Sequence, residues 1–389
     1  RRTNTIMRKI CFVTGTRAEY GLLSRLMRLV KEDKDLRLQV IATNMHLMPE
    51  YGETYKEIEK DGFTIDKKVY MHKPSDDAYG IISSMAEEMQ GMNNALSELK
   101  PDILVLLGDR YEILVAAQVA LIYRIPIAHI HGGEVTEGAF DDAIRHSVTK
   151  MSSLHFTSCE EYRHRVIQMG EQPSRVFDVG SLGVENIKAV PLMTKDELEA
   201  SLDFKIDKQT ILVTYHPVTL GGDPAKDIRE FLDALDQFKD LKVIFTMPNS
   251  DTGRDAIALA VENYVEKHSN SAKAYTSLGL KRYLSTLQFV KAAVGNSSSG
   301  IIEVPSFGTP TLNIGDRQKG RLASKSVVNC GTSKDEVIAG LKLCLSEEMQ
   351  KAAKTYENPY AKPDTANLIY QELKNVELAG LNLKTFYDL

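Results

Sequence analysis

The sequence predicts an α/β protein made of two Rossmann-like, doubly wound domains. Three observations predict it. Short, wholly apolar runs alternate with longer stretches of helical periodicity. That series stops and then restarts in the second half of the chain. The 389 residues suit two domains at roughly 150 residues each, because α/β domains run large. Strands apolar on both faces need helices on both sides, which a parallel sheet provides.

In order, residues 10–14 read as a buried strand. Residues 16–31 follow as a helix, with Leu22, Leu23, Leu26, Met27 and Val30 at helical spacing. Residues 36–43 form the next strand, and 81–99 a helix ended by Lys100-Pro101. Residues 103–107 are the most apolar strand, closed by Gly108, before a helix over 111–123 and a strand over 125–130. The second series has strands at 209–215, 241–247, 289–295 and 311–314. Its helices are expected at 227–238, 254–267 and 300–307. Gly183 and Pro191 punctuate the join. The expected domains are therefore 7–190 and 191–362, with a helical segment 363–389 packing back on the first. Ligands of parallel sheets bind at the carboxyl ends of strands, so the two domains are expected to face a cleft lined by those loops.

Composition narrows the class. Lys and Arg number 48 against 53 Asp and Glu, a net charge of −5, which argues against nucleic acid or a membrane surface as partner. The 43% hydrophobic and 26% charged content excludes disorder as the dominant state. Cys11, Cys159, Cys330 and Cys344 are far apart and form no C-x-x-C pair. That disfavours a disulfide framework or cysteine zinc site and fits a cytoplasmic protein. No apolar run approaches the ~20 residues of a membrane span. The first six residues lack a signal-peptide core and read as a variable tail, with Met7 a plausible natural start.

Six strand-end loops carry the chemistry. Gly15-Thr16-Arg17 opens a helix, where free N–H groups, the helix dipole and Arg17 suit a phosphate. A plain turn capped by Thr16 fits equally, and the loop is not G-x-G-x-x-G. Asp109 and Arg110 follow the most apolar strand, so Asp109 is either a functional carboxylate or a helix N-cap. His129-Ile130-His131-Gly132-Gly133-Glu134, then Asp141-Asp142, Arg145 and His146, form the densest cluster of titratable groups. A metal site is the rival there. Strand alternation instead makes His129 a core residue and leaves Glu134, Asp141 and His131 for acid/base work.

In the second domain, His216-Pro217 ends a strand. Gly295-Asn296-Ser297-Ser298-Ser299-Gly300, followed by Glu303, offers hydroxyls and N–H groups to a diphosphate, or a serine-rich N-cap. Gly315-Asp316-Arg317-Gln318-Lys319-Gly320-Arg321 puts three cations after a strand. That reversal of sign suits a diphosphate too, against a solvated charge run. There is no P-loop, G-x-S-x-G elbow or H-E-x-x-H motif.

Taken together and in this order, these loops resemble the hydrolysing UDP-N-acetylglucosamine 2-epimerases of sialic-acid-type biosynthesis. The resemblance runs from Met7 to about Asp388 and implies a glycosyltransferase-B-type fold. It also implies a reaction: UDP leaves C1 as the C2 proton is lost, and water adds to the resulting glycal with inversion at C2. Free N-acetylmannosamine and UDP are the products. By the resemblance, Asp109, Glu134, Asp141, His131 and His216 form the catalytic set. Arg17, Arg110, Arg145, Asn249, Ser297, Ser298, Glu303 and Arg317 bind substrate, with Glu303 on the ribose. His216 should contact the phosphate or act as an acid toward it. No metal, nicotinamide or other cofactor is implied, and a homodimer or homotetramer is expected.

Many relatives carry Glu where this sequence has His131, which narrows the subgroup. An imidazole among carboxylates is suited to act as an acid. UDP-2,4-diacetamido-2,4,6-trideoxyglucose, on the route to legionaminic acid, is the alternative substrate. A non-hydrolysing epimerase, a glycosyltransferase of the same fold and a non-catalytic nucleotide-sugar binder are more distant readings.

Overall fold

The computed structural model describes residues 6–75, 77–137, 140–218, 221–248 and 253–389. Its first sheet has seven strands: β1 (Arg8–Thr14), β2 (Leu36–Thr43), β3 (Lys67–Val69), β4 (Ile103–Leu107), β5 (Ile127–Ile130), β6 (Leu154–Thr157) and β7 (Val176–Asp178). They lie in the order β3-β2-β1-β4-β5-β6-β7, every pair parallel. The second sheet has six: β8 (Thr210–Thr214), β9 (Lys242–Thr246), β10 (Ala272–Tyr275), β11 (Ala292–Gly295), β12 (Thr311–Ile314) and β13 (Val327–Cys330). Their order is β10-β9-β8-β11-β12-β13, again all parallel.

The chain divides into two units, one around each sheet. In the first, Ile10 and Phe12 face one core and Cys11 and Val13 the other, all fully buried. The alternation of a pleated strand thus feeds two apolar layers, so β1 carries apolar side chains to both of its faces. The second unit repeats this: Ile211 and Val213 pack with Phe231, while Leu212 packs with Leu284 and Leu287. The helix Thr365–Asn375 groups with the first unit. Ala366, Ile369 and Leu373 join the core of helix Arg17–Glu32, and Thr365 Oγ1 donates to the Val179 carbonyl at 2.6 Å.

The sequence-predicted strands all form: β2, β4 and β12 with the bounds read, β5, β8, β9 and β11 two or three residues shorter, and β1 two residues longer. Five further strands, β3, β6, β7, β10 and β13, are only three or four residues long, too short for a periodic signal. The helix expected at 227–238 is Pro224–Leu235, because Asp223 caps it and Pro224 takes its first turn. The helix expected at 300–307 is broken. It runs Ser299–Ile302, then continues as a 3-10 turn Val304–Phe307, since Pro305 cannot donate.

Strand order reverses between β1 and β4 and between β8 and β11. In a doubly wound sheet these switch points are where ligands bind. The loops beyond them are the ones that the sequence singles out: Gly15–Arg17 and Asp109 in one unit, His216 and Asn296–Ser298 in the other.

Candidate active site

The first unit gathers its polar groups around Arg145. This residue lies on helix Asp141–Met151 with its side chain 1% exposed. Its guanidinium donates to Asp109 Oδ2, to Asp142 Oδ1 at 2.8 Å and to the Glu134 carbonyl at 2.9 Å. A planar cation of five N–H donors can satisfy three acceptors at once. Arg145 is therefore a buried clamp on the protein's own acids. Substrate binding was the role expected of it; the bonds above go to protein acceptors.

The turn it clamps is built by glycines. His131 adopts a left-handed φ of 66°, and Gly133 follows with φ 82°. A Cβ on Gly133 would lie 2.4 Å from the Tyr162 carbonyl, and one on Gly132 2.8 Å from Thr149 Oγ1. Only glycine lets the backbone turn so close to these neighbours. Beyond it, the buried Glu134 carboxylate accepts from Ser158 Oγ at 3.1 Å. Nε2 of His131 accepts the Leu182 N–H at 3.4 Å, so a neutral ring carries its proton on Nδ1. Asp141, half-buried, opens the helix that holds Arg145.

His129 is the core histidine that strand alternation predicts. Its ring is fully buried, with Nδ1 on Thr149 Oγ1 at 3.0 Å and Nε2 on the Gly108 carbonyl at 2.8 Å. Burial pushes its pKa down to about 3. Both nitrogens are committed, so it has none left for a metal. Among the described residues, no group of three or more His, Cys, Asp or Glu is placed to hold a metal ion.

At the β1–β4 switch point, Thr16 caps helix Arg17–Glu32 by accepting the Glu19 N–H at 3.2 Å. Glu19 reaches back to the Gly15 N–H at 2.8 Å. The Thr16 cap is thus the second of the two readings of this loop, and the return bond from Glu19, one residue before that of a capping box, is what the sequence reading missed. Arg17 is 65% exposed and pairs with Glu57 at 3.1 Å. Arg110 is tied by its Nε to Glu112 Oε1 at 2.7 Å.

In the second unit Asn296 is the organising residue, also missed as an individual. Its Oδ1 accepts the His216 N–H at 2.7 Å, and its Nδ2 donates to the His216 carbonyl at 2.8 Å. These two bonds join the loops on either side of the β8–β11 switch point. Arg317 and Gln318 both donate to the Asn296 carbonyl, at 3.0 and 3.2 Å. Gly295 permits the turn, since a Cβ there would come within 1.8 Å of the Thr214 carbonyl. Ser297 and Ser298 are half-buried, and Ser299 Oγ accepts from Tyr283 at 2.8 Å. Glu303 follows between helix Ser299–Ile302 and the 3-10 turn. Lys319 pairs with Glu137 at 3.5 Å, so part of the cation run is already neutralised. Asn249 lies outside the described residues.

His216 is buried, and burial together with the Arg317 charge lowers its pKa to about 4. It is therefore a neutral imidazole at pH 7. Of the two uses expected for it, phosphate contact or acid, a neutral ring suits hydrogen bonding to a phosphate.

A family model described as UDP-N-acetylglucosamine 2-epimerase matches residues 28–374. The chain belongs to the UDP-N-acetylglucosamine 2-epimerase family. This bears out the resemblance read from the loops. The epimerase-family chain is 45% identical over 383 residues to the GDP/UDP-N,N'-diacetylbacillosamine 2-epimerase (hydrolyzing) of Campylobacter jejuni, covering 98% of this chain and 99% of that one. It is 38% identical to the polysialic acid biosynthesis protein P7 of Escherichia coli, covering 98% of each. The crystal structure of the Neisseria meningitidis UDP-GlcNAc 2-epimerase bound to UDP-GlcNAc superposes with a TM-score of 0.80 at 18% identity. That match covers 94% of this chain and 99% of the other. The fold is thus the glycosyltransferase-B type, two Rossmann-like domains in one chain. No helix among the described residues is long and apolar enough to cross a membrane.

Proposed function

We propose that this chain is a hydrolysing 2-epimerase of a UDP-linked 2-acetamido sugar, releasing UDP and the free C2 epimer. In elimination, the C2–H electron pair becomes the C1=C2 bond, and UDP departs with the C1–O pair. Water then adds its oxygen to C1, and a proton reaches C2 on the opposite face. The reading rests above all on Arg145, which holds Asp109, Asp142 and the Glu134 backbone together at one turn. C2–H is a weak acid, so the step needs a placed base and a stabilised leaving group.

Asp109, Glu134, Asp141 and His131 form the acid/base set in the first unit. The second unit binds the nucleotide. Ser297, Ser298 and Arg317 hold the diphosphate, with Arg17 as a further cation, and Glu303 takes the ribose. Neutral His216 donates a hydrogen bond to a phosphate oxygen. Asn249 is a further proposed substrate-binding residue. Replacing Arg317 by Ala should weaken UDP binding about 10–100-fold, as loss of hydrogen bonds from a charged group does. Calorimetry reads this directly, and an unchanged affinity removes Arg317 from the diphosphate site.

Two sugars compete. The 45% identity to a diacetylbacillosamine 2-epimerase favours UDP-N,N'-diacetylbacillosamine, a 2,4-diacetamido-trideoxy sugar. The family description and the polysialic acid relative favour UDP-N-acetylglucosamine. A proton NMR time course in D2O with EDTA separates them. The expected result is UDP plus a free sugar deuterated at C2 from one of the two, independent of added metal. Turnover of neither sugar overturns the proposal. The active form is proposed to be a homodimer or homotetramer. Exposed Tyr79, Ile82 and Ile122 give the first unit apolar surface to bury, and sedimentation tests this.

A further inference from the structure

Three glutamates are buried together in the first unit. Glu112 and Glu88 are fully buried and Glu19 is 6% exposed. Glu112 disfavours the charged form of both others, and Glu19 that of Glu88. Glu112 lies directly behind the Gly15 turn, since a Cβ on Gly15 would come 2.7 Å from its Oε1. Arg110 is the cation tied to this cluster, through the single bond from its Nε to Glu112. Both oxygens of Glu88 and Oε2 of Glu112 have no hydrogen-bond partner among the described residues. One guanidinium cannot compensate three buried carboxylates, because each uncompensated charge costs several kcal/mol.

We infer that Glu112 is a positioning residue: it fastens Arg110 by its Nε and presents the terminal amino groups to an anionic oxygen of the UDP-sugar. The inference rests on the proposed substrate. The terminal amino groups of Arg110 make no hydrogen bond among the described residues, and its side chain is 42% exposed. A guanidinium held at Nε keeps a two-donor edge in one orientation, which suits an anion.

Burial and the neighbouring Glu112 raise Glu19 to about 8, and burial drives Glu88 well above the carboxylate range. The charge of Glu112 in turn holds the Arg110 cation. Tyr111 lies beside Arg110, and His46 shares Thr14 Oγ1 with Glu19. The His46 ring is engaged by Thr14 and Thr54 and kept neutral by burial. As pH rises through about 8, Glu19 ionises beside Glu112. The added negative charge opposes an anion at Arg110, so substrate affinity falls.

Steady-state UDP release against pH tests this. Glu112→Gln reduces a charge-assisted hydrogen bond to a neutral one, and the loss of a fixed guanidinium edge, outweighing the relief of one negative charge, should raise KM roughly 10-fold with kcat little changed. Glu112→Asp should recover part of it. Wild-type KM should climb above about pH 8, and Glu19→Gln, which keeps the acceptor for the Gly15 N–H, should flatten that climb. Unchanged KM in Glu112→Gln, or a climb that persists in Glu19→Gln, overturns the inference. If Glu112→Gln does not fold, Glu112→Asp, which keeps the charge but draws the carboxylate back from the Arg110 Nε, decides: KM should rise, and an unchanged KM overturns the inference. If the wild type turns over neither UDP-N-acetylglucosamine nor UDP-N,N'-diacetylbacillosamine, the functional reading is what fails. Calorimetric affinity for the same two compounds then replaces KM, with the same expected and contrary results.

Discussion

Asp109→Asn should lower turnover on the order of 10²–10⁴-fold while UDP affinity stays within about threefold, the range for loss of a positioned acid or base. Glu134→Gln should do the same. Both changes keep shape and acceptor geometry. The introduced amide would still offer an oxygen to Arg145 in the first variant and to Ser158 in the second. What disappears is the ability to take or give a proton. Neither residue is assigned to the diphosphate or the nucleoside, so UDP affinity should not follow. The measurement is kcat from UDP release, with calorimetric UDP affinity on the same samples. Near-wild-type turnover in both variants would remove these two residues from the chemistry. A raised KM and weaker UDP affinity with kcat unchanged would instead place them in ground-state binding.

The fold was legible because burial on both faces leaves a strong mark: β1 and β4 have few polar positions to confuse the pattern. The loops at the switch points were legible for a related reason. Gly15, Gly108, Gly132-Gly133 and Gly295 mark where a strand must stop and the backbone turn sharply. Partnership between distant loops was not legible. Nothing in the local sequence says that Arg145 turns inward onto Asp109, thirty-six positions away, and not out to substrate. Helical spacing gives only half of it, since Asp142 and Arg145 are i and i+3 on one helix. The role of Asn296 is similar, because its two bonds reach His216 eighty positions back. Burial hid the glutamates as well. Glu88 reads as one more polar residue on a helix with several, until its full enclosure is seen.

Arg145→Met should cost about 3 kcal/mol of stability, because removing one partner of a buried charge cluster strands the others. Asp109 and Asp142 are each 28% exposed and recover some hydration, which places the cost at the low end of the usual range. The Glu134 carbonyl loses its donor as well, so the turn carrying Glu134 loosens. Chemical denaturation measures the stability change, and kcat should fall with it. A group that merely touched substrate would behave differently: KM would rise and the unfolding midpoint would stay. The combined variant Arg145→Met, Asp109→Asn, Asp142→Asn separates these cases further. With the stranded charges gone, it should be more stable than Arg145→Met alone by at least about 1 kcal/mol, the coupling expected within one network. It should nonetheless stay inactive, since the Asp109 carboxylate is lost. A single variant with an unchanged midpoint and only a raised KM would return Arg145 to the substrate-binding role that the sequence had suggested.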